Sequence, residues 1–332
     1  MKVVLHHRLE AVGRTAWEEL RAVSRLRAPY LSWTWQTEWV HAFAADRRLD
    51  ILAVEDADGT LAGVLPLFEA EPGVHRIIGG ADVSDYLDVL AIAGREEDVW
   101  MALLQARAAE RDTWRLHAVP AASPTVTALP ALAASCGLEA SVSVEERCPV
   151  LDLPSSWDDY LAALPSKHRH ELQRKTRRLR REMPDARVSV ARDREAIETR
   201  FGDFFDLHRR SRVGKERFMD AHMEKFFRRA VGELAVAGGA ALWFLDLSSG
   251  PAAGFVVLEW EGTVGLYNSG FHPDRAALAP GLVLLVHLVE DAILRGKRRF
   301  DFLRGEERYK YEFGPTAEEV FRVQIGPGGA SA

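Results

Sequence analysis

One uniformly apolar segment constrains the fold of this chain more than any other feature. Residues 282–294 contain too few polar side chains for a surface helix, which predicts a helix buried on most sides. Pro280 and Gly281 precede it and favour a helix start, because proline has no N–H to lose in the first turn. Residues 267–272 come before it, and a short strand is predicted at 299–303. The pattern predicts a β-loop-α-β unit whose helix N-terminus can bind a phosphate or carboxylate.

The two halves of the chain repeat one order of elements. Strands are predicted at 51–54 and 61–68 in the first half and at 241–245 and 254–260 in the second, each pair joined by a turn that ends in glycine. The turn glycines are 191 positions apart (250 − 59), as are the first glycines of the returning strands (254 − 63). In both halves a strand, a loop, a helix and another strand follow, with the first of these helices predicted at 98–110. The shared order and register predict an internal duplication.

The duplication predicts two domains, 1–153 and 154–332, divided near Pro154. Pro154 and the two serines after it punctuate the end of a predicted strand. The second domain opens with a strongly basic helix predicted at 166–183.

Composition narrows the class of protein. With 332 residues, 47% of them hydrophobic, the chain can bury two cores and is too apolar for a disordered protein. A formal charge of -6 and a pI near 6.0 argue against a general affinity for DNA. Two cysteines, Cys136 and Cys148, make neither a disulfide framework nor a metal-ligand set. The N-terminus lacks the apolar core of a signal peptide, and no apolar run has the length of a membrane span. A cytoplasmic protein is therefore expected.

Polar residues crowd the end of the strand that follows the apolar helix. Asp301 lies between two phenylalanines, and Arg304, Glu306, Arg308 and Lys310 come after it. Ligands of α/β sheets gather outside the carboxyl ends of the strands. The sequence therefore predicts a functional site at this end of the strand.

These residues resemble those of a known family. Three segments are similar to the C-terminal half of the CelD/BcsL-type acyltransferases: Pro280-Gly281 with the helix after it, Asp301 to Glu306, and Tyr309-Lys310. That family is a branch of the GNAT superfamily and is related to the FemAB-type peptidyltransferases. Ser84-Asp85-Tyr86, followed by Asp88, also looks like the family pattern, although physical grounds alone favour turn and cap positions for Asp85 and Asp88.

The resemblance implies a fold, a donor and a biological role. It implies α/β (α+β) tandem GNAT-like domains, each with a mixed, mostly antiparallel sheet flanked by helices. It also implies acetyl-CoA or another acyl-CoA as the donor and a role in polysaccharide biosynthesis. The usual phosphate loop of the superfamily is Gln/Arg-x-x-Gly-x-Gly/Ala. Here residues 275–281 stand in its place, without the first glycine and with altered spacing. The residues expected to bind the donor are Arg275, Pro280, Gly281, Lys167 and Arg169.

Acyl transfer from a thioester needs no metal and no protein nucleophile. It needs alignment of the reactants, a group that takes the acceptor proton, and donors for the developing oxyanion. The candidate catalytic residues are Asp301, Glu306, Tyr309 and Lys310. Glu307 and His272 are further candidate bases, and Tyr267 is a second candidate for protonating the leaving thiolate.

The acceptor is expected on the same edge of the sheet. The residues expected to bind it are Tyr267, Asn268, His272, Arg304, Asp85 and Tyr86. In GNAT-type folds two central strands separate, and the resemblance places that opening between residues 255–260 and 266–270. Arg304 and Lys310 are expected to be exposed, so that removing either charge would change stability little.

The basic helix at 166–183 has two interpretations. Eight basic residues face only two acids, Glu171 and Glu182, while a thin apolar stripe marks a surface helix. The basic face is either solvated and paired with nearby acids, or a site for an anion. Such an anion could be the phosphates of CoA, an acidic glycan, a nucleotide-sugar or the acceptor end of a charged tRNA.

Three functional hypotheses follow. The first is an acyl-CoA-dependent N- or O-acyltransferase acting on a sugar, a nucleotide-sugar or a related metabolite, so that the acceptor is a small molecule or a glycan. The second is a FemAB-like transferase that takes its donor from aminoacyl-tRNA, the one hypothesis with a tRNA partner. The third is a binding protein that kept the fold and lost the chemistry, which the altered phosphate loop favours.

Overall fold

The computed structural model describes residues 1–107, 112–211 and 215–327. Residues 108–110 of the predicted helix and residues 328–332 of the predicted second domain lie outside this part of the chain. The strands, in chain order, are β1 (Lys2–His6), β2 (Leu49–Glu55), β3 (Leu61–Glu71), β4 (Val74–Ile77), β5 (Leu90–Ala91), β6 (Thr113–Pro120), β7 (Leu138–Asp152), β8 (Arg187–Ala191), β9 (Ala240–Leu247), β10 (Gly250–Trp260), β11 (Thr263–Phe271), β12 (Arg299–Asp301) and β13 (Thr316–Pro327).

Helices fill much of the chain between these strands. The α-helices are α1 (Arg14–Ala22), α2 (Trp33–Phe43), α3 (Glu96–Arg107), α4 (Pro124–Thr127), α5 (Leu129–Ser135), α6 (Trp157–Ala163), α7 (Ser166–Glu182), α8 (Arg194–Ser211), α9 (Lys215–Phe218), α10 (Ala221–Val236), α11 (Pro280–Leu294) and α12 (Arg308–Tyr311). A short 3-10 helix, Pro273–Leu278, precedes α11.

The chain forms two compact units. The N-terminal unit comprises Met1–Glu146 and the described residues from Glu319 onward, and the C-terminal unit comprises Arg147–Glu318. The predicted division between residues 153 and 154 is corrected at both ends. The last strand returns to the N-terminal unit because β13 pairs with β6, Phe321 lying opposite Val119.

The same pairing pattern recurs in each unit. In the N-terminal unit β2, β3 and β4 pair antiparallel in sequence, and β4 then pairs parallel with β6 across α3. In the C-terminal unit β9, β10 and β11 pair antiparallel in sequence, and β11 pairs parallel with β12 across α11. β1 and β13 extend the first sheet, while β7 and β8 extend the second. Both sheets are mixed and mostly antiparallel, which confirms the predicted fold class and the predicted order of elements.

The buried helix predicted at 282–294 is α11. Pro280 is its first residue, and ten of its side chains are buried, from Pro280 to Ile293. The helix ends at Leu294. Beyond it, Gly296 has a φ of 67°, its N–H donates to Ile293 O at 2.9 Å, and Lys297 N–H donates to Ala292 O at 2.9 Å. Each fully buried leucine or valine contributes about 1.5–3 kcal/mol of transfer free energy. The helix is therefore the centre of the C-terminal core.

The basic helix predicted at 166–183 is α7. Leu172 and Leu179 of its apolar stripe are buried in the same core cluster as the side chains of α11. Arg174 and Arg178 pair with Glu171 and Glu182 on the same helix. One face of α7 thus packs against the core while the charged face remains towards solvent.

Candidate active site

The central opening of the C-terminal sheet lies between β11 and β12. Their parallel ladder ends where Gly265 lies opposite Asp301. β11 continues to Phe271, whereas the chain after Asp301 stays with β7, since Phe302 N–H donates to Pro149 O at 2.9 Å. The two strands therefore diverge beyond Gly265.

The predicted position of this opening is wrong. Residues 255–260 and 266–270 belong to β10 and β11, and they pair antiparallel, with Phe255 opposite Ser269. The reason is connectivity. A tight turn joins β10 to β11 and keeps them hydrogen-bonded, whereas the whole of α11 separates β11 from β12 and lets them part.

A β-bulge sets the direction of the side chains along the end of β11. Asn268 pairs with Val256 and Leu266 pairs with Val257, so Tyr267 is an extra residue on β11. Leu266 packs in the core cluster beneath α11. Strict alternation would then turn Ser269 away from α11. The bulge shifts the alternation by one, so Ser269 and Phe271 instead line a cavity beside the start of α11.

The cavity has a volume of about 260 Å³ and lies within the C-terminal unit. Its lining comes from β10, β11, the N-terminus of α11, α7 and the segment after β12. The lining residues are Lys175, Phe255, Ser269, Gly270, Phe271, Ala276, Ala279, Pro280, Gly281, Leu282, Glu307 and Tyr309. The structure thus joins the predicted phosphate loop, the opening beside β11 and part of the predicted catalytic segment in one site.

The start of α11 offers backbone N–H groups to this cavity. Ala279, in the left-handed region with φ 48°, precedes the helix and provides no side-chain cap. The helical ladder begins with Val283 N–H, which donates to Ala279 O at 3.1 Å, and Pro280 has no N–H. The N–H groups of Gly281 and Leu282 therefore have no partner inside the helix. A Cβ on Gly281 would meet nothing within 4 Å among the described residues, so the backbone is open to a ligand. This geometry fits a phosphate group.

A lysine from the basic helix adds positive charge at the cavity. Lys175 Nζ lies 3.3 Å from Glu312 Oε2 and 3.5 Å from Glu171 Oε1, with 21% of its side chain exposed. The predicted donor-binding residues Lys167 and Arg169 lie elsewhere. Lys167 is exposed, and Arg169 donates to Leu161 O at 3.3 Å. α7 therefore reaches the cavity through Lys175.

Two residues of the predicted catalytic segment line the cavity. Glu307 precedes α12, and Tyr309 lies on it. Glu307 Oε2 also forms an ion pair with Lys310, whose Nζ lies 2.9 Å away. The cavity therefore places a carboxylate and a phenol beside the N-terminus of α11, which are the groups needed to take and give a proton during acyl transfer.

Lys310 is buried, and the prediction that it is an exposed charge is wrong. Its side chain is 4% exposed, and Nζ donates to Arg304 O and Gly305 O, each at 2.9 Å, besides its ion pair with Glu307. Gly305 has a φ of 104° and Leu303 a φ of 56°, so this turn needs support. Lys310 holds the turn closed from inside, which a pattern of charged residues does not reveal.

Asp301 also supports the turn from a buried position. It is 2% exposed, and its Oδ1 accepts from Leu303 N–H at 2.8 Å. Leu303 is the residue with positive φ, so the carboxylate satisfies the amide where the backbone is strained. The N-terminal unit has the same device at the end of β6, where Ala118 has a φ of 53° and its N–H donates to Glu145 Oε2 at 2.7 Å.

Other predicted residues surround the cavity without lining it. Glu306 is exposed and accepts from Tyr311 Oη at 3.1 Å. Arg304 is half-buried beside the Lys310 ammonium. Arg275 donates to Ser249 Oγ at 3.4 Å, next to the lining residue Ala276.

The predicted acceptor residues of β11 face different surroundings. The Tyr267 ring stacks on Phe227 with the centroids 5.4 Å apart. Asn268 Oδ1 accepts from Ser269 N–H at 3.1 Å, and the His272 ring nitrogen lies 3.9 Å from Asp274. Ser269 and Phe271, between these residues, provide the cavity lining.

Asp85 and Tyr86 lie in a buried network of the N-terminal unit. Tyr30 Oη donates to Asp85 Oδ2 at 3.0 Å, and Tyr86 is 7% exposed against the Tyr30 ring. Trp35 Nε1–H donates to Ser84 Oγ at 2.9 Å. The loop is also tied to β6, because Leu87 N–H donates to Ala118 O at 3.1 Å. These contacts bury Asp85 and Tyr86 within this unit, and their predicted role in acceptor binding stays a prediction.

The two repeats differ at the helix that follows the loop. α3 of the N-terminal unit begins with Glu96, Glu97 and Asp98, whereas the first turn of α11 has no acidic residue. Glu96 Oε2 also accepts from Gly94 N–H at 2.7 Å, so a side chain already binds an amide near this N-terminus. The carboxylates at the start of α3 repel an anion, whereas the amides at the start of α11 attract one.

Comparisons with known proteins agree with this geometry. Residues 166–311 match the family model described as an acetyltransferase (GNAT) domain. The match lies within the C-terminal unit, and the matched segment is called the GNAT domain from here on. The GNAT domain contains α7, the cavity and the segment from Asp301 to Tyr311, and the chain is an acyltransferase. No protein in the curated set compared with the chain matches it in sequence.

Solved structures resemble the chain over nearly its whole length. FemX has a TM-score of 0.64 and 11% identity, with 97% of each chain covered. The C-terminal domain of a putative lysylphosphatidylglycerol synthetase from Agrobacterium fabrum has a TM-score of 0.58 and 13% identity, covering 97% of this chain and 93% of that one. The tandem GNAT protein from the clavulanic acid biosynthesis pathway has a TM-score of 0.51 and 16% identity, with 97% of each chain covered. At these identities the likeness is one of fold. In the part of the chain that the structure describes, no helix combines the length and apolar character needed to cross a membrane.

Proposed function

We propose that the GNAT domain transfers an acyl group, in the simplest case acetyl, from acyl-CoA to an amine or hydroxyl of a sugar, nucleotide-sugar or related metabolite. The observation that carries this proposal is the shared cavity. It joins the N–H groups of Gly281 and Leu282, which suit a phosphate of the donor, to Glu307 and Tyr309. The motifs that resemble the CelD/BcsL type favour that branch of the superfamily.

The cavity supports direct transfer. The acceptor nitrogen or oxygen attacks the thioester carbonyl carbon, so that a C–N or C–O bond forms and the C–S bond breaks. Glu307 takes the proton that the acceptor loses, and Tyr309 gives its proton to the leaving thiolate and regains one from solvent. Lys310 acts indirectly, because its ammonium fixes Glu307 and the turn at 303–305. Holding the two substrates in line for attack accounts for the rest of the rate enhancement over the reaction in water.

Ligand-dependent melting tests the donor. CoA and acetyl-CoA should raise the melting temperature of the full chain, because a ligand that binds only the folded state stabilises it. Mass spectrometry of the purified protein should also find a bound CoA species. If no CoA species changes the melting temperature while aminoacyl-tRNA binds, the proposed donor is wrong.

One observation favours the second candidate, a FemAB-like transferase that uses aminoacyl-tRNA. Several basic side chains of α7 are exposed on the face away from the core: Lys167, Arg174, Arg177, Arg180 and Arg181. Such a face suits the phosphates of an RNA acceptor end. The fold likeness to FemX is compatible with this candidate. The binding comparison between CoA species and charged tRNA decides between the two donors.

A further inference from the structure

The cavity has an exposed rim and a buried floor. At the rim lie Lys175, with 21% of its side chain exposed, and Glu307, with 37% exposed. At the floor lies Phe255, which is 3% exposed and is opposite Ser269 on β11. A donor that enters at the rim therefore points its far end towards Phe255.

Phe255 is part of the packed core of the C-terminal unit. Its ring belongs to the core cluster beneath α11, together with Val257 on the same face of β10 and Leu266 on β11. Protein cores are packed too densely to take extra methylene groups without displacement of side chains. The benzyl group of Phe255 thus closes the floor of the cavity.

The floor is also unsuited to a charged end. Phe255 and Phe271 present hydrocarbon beside the uncharged Ser269, and the ionised side chains Lys175 and Glu307 lie at the rim. A protonated amine at the floor would lose its hydration without gaining an acidic partner. A short aliphatic chain matches both the depth and the polarity of the floor.

We infer that the acyl end of the donor lies against Phe255 and that this ring restricts the donor to short, unbranched aliphatic acyl groups. The inference rests on the proposed use of acyl-CoA. It assigns Phe255 as the residue that determines acyl-chain length. It also disfavours an aminoacyl donor, because the α-ammonium group would be buried beside this ring.

Binding of an acyl-CoA series tests the inference without knowledge of the acceptor. Isothermal titration would give the Kd of CoA, acetyl-, butyryl-, hexanoyl- and octanoyl-CoA for the wild type, Phe255→Ala, and the smaller change Phe255→Leu. Val257→Ala is the control, since it shortens a side chain on the same strand and in the same core cluster. Melting curves of each variant establish that it is folded.

In the wild type and in Val257→Ala, hexanoyl-CoA should bind at least about tenfold more weakly than acetyl-CoA. In Phe255→Ala the order should reverse, with a gain of about fourfold for each methylene that enters the new space. Phe255→Leu should show a smaller change in the same direction. Equal affinities for acetyl- and hexanoyl-CoA in the wild type, or the same chain-length profile in all the folded variants, would overturn the inference and leave acyl-CoA use intact. Absence of binding by every CoA species, including CoA itself, would instead overturn the proposed function and this inference with it.

Discussion

Tyr309 and Tyr311 lie on the same short helix, α12, but face different surroundings. Tyr309 lines the cavity, whereas Tyr311 donates to the exposed carboxylate of Glu306 at 3.1 Å. If Tyr309 protonates the leaving thiolate, Tyr309→Phe should lower turnover about a hundredfold while the Kd of acetyl-CoA stays the same. Release of free CoA thiol with an amino-sugar or nucleotide-sugar acceptor measures turnover.

Tyr311→Phe is the matched control, because it removes the same hydroxyl two positions further along the helix. It should keep turnover within about twofold of the wild type. Equal losses in both variants, or a loss in Tyr309→Phe that follows a lower melting temperature, would give Tyr309 a structural role only.

Lys310 should matter for stability far more than an exposed lysine would. Lys310→Ala leaves the carbonyl groups of Arg304 and Gly305 and the carboxylate of Glu307 without their shared partner. Removing a buried hydrogen-bond donor costs about 1–3 kcal/mol, and Glu307, at 37% exposure, remains accessible to water. Urea denaturation should show a loss of that size, whereas Arg308→Ala, an exposed neighbour, should change the free energy of unfolding by less than about 0.5 kcal/mol. Similar midpoints for the two variants would contradict the buried position of Lys310.

Among single residues of the site, the sequence predicted some and missed others for identifiable reasons. Pro280, Gly281 and Tyr309 were predictable from their motif and line the cavity. Lys175 is one of the eight basic residues counted in the predicted helix, and it lies three positions after Leu172 and four before Leu179, on the inward face. That spacing was the available signal. Phe255 and Ser269 depend on strand register and on a bulge, which the pattern of residue types does not encode.

The N-terminus of α11 yields a prediction at the scale of an element. Gly281→Val should place a branched side chain in the cavity, because a Cβ there meets nothing within 4 Å among the described residues. Binding of CoA, measured by titration, should weaken by at least about tenfold, or 1.4 kcal/mol. Stability should change by less than about 0.5 kcal/mol, since no neighbour is displaced.

Gly202→Val provides the comparison for this change. Gly202 is an exposed residue of α8 and lies outside the cavity lining. A Cβ at this position would likewise meet nothing within 4 Å among the described residues. This variant should bind CoA like the wild type. Unchanged CoA binding by Gly281→Val would separate the donor from the start of α11 and require another phosphate site.

Elements with a strong local signal were predicted, and long-range pairings were not. α11 follows from a uniformly apolar run that Pro280 and Gly281 precede, and α7 follows from its thin apolar stripe. The hairpins follow from their turns. The opening between β11 and β12 was placed one strand away from its true position. It depends on which strand the chain after Asp301 follows, and that choice is made by hydrogen bonds to β7.

At the scale of the whole molecule, Asp88 makes stability depend on pH. Burial raises the pKa of Asp88 to about 6, although Ser123 and Thr125 donate hydrogen bonds to it. The folded state therefore favours the protonated acid, and this contribution is full below about pH 4 and is lost as the pH rises through 6. A shift of about two units corresponds to about 3 kcal/mol. The free-energy difference between the wild type and Asp88→Asn should move in favour of the variant by up to that amount between about pH 4 and 7.

Urea denaturation at several pH values measures this difference. Glu97→Gln, which removes an exposed carboxylate from α3, should show no comparable change across the same range. A constant difference between the wild type and Asp88→Asn would mean that Asp88 is ionised in the folded protein throughout.

The duplicated order of elements was predictable over the whole chain because it depends on local patterns that recur 191 positions apart (250 − 59). The unit boundaries were not, because β13 returns to β6 through a pairing between residues about two hundred positions apart. Contacts between residues far apart in sequence also determine the surroundings of Asp85 and Tyr86, which were not predictable for the same reason. Their family-like motif suggested a binding role, and only the tertiary contacts reveal the buried network with Tyr30 and Trp35.

The acidic start of α3 has a consequence for stoichiometry. A chain with two copies of one fold could hold two equivalents of donor. Glu96, Glu97 and Asp98 make the N-terminal copy repel phosphate, and the loop that carries Leu87 already occupies the edge of β6. Titration of the full chain with CoA should therefore saturate at one equivalent per chain. Saturation at two equivalents would show that these carboxylates do not exclude the donor from the N-terminal unit.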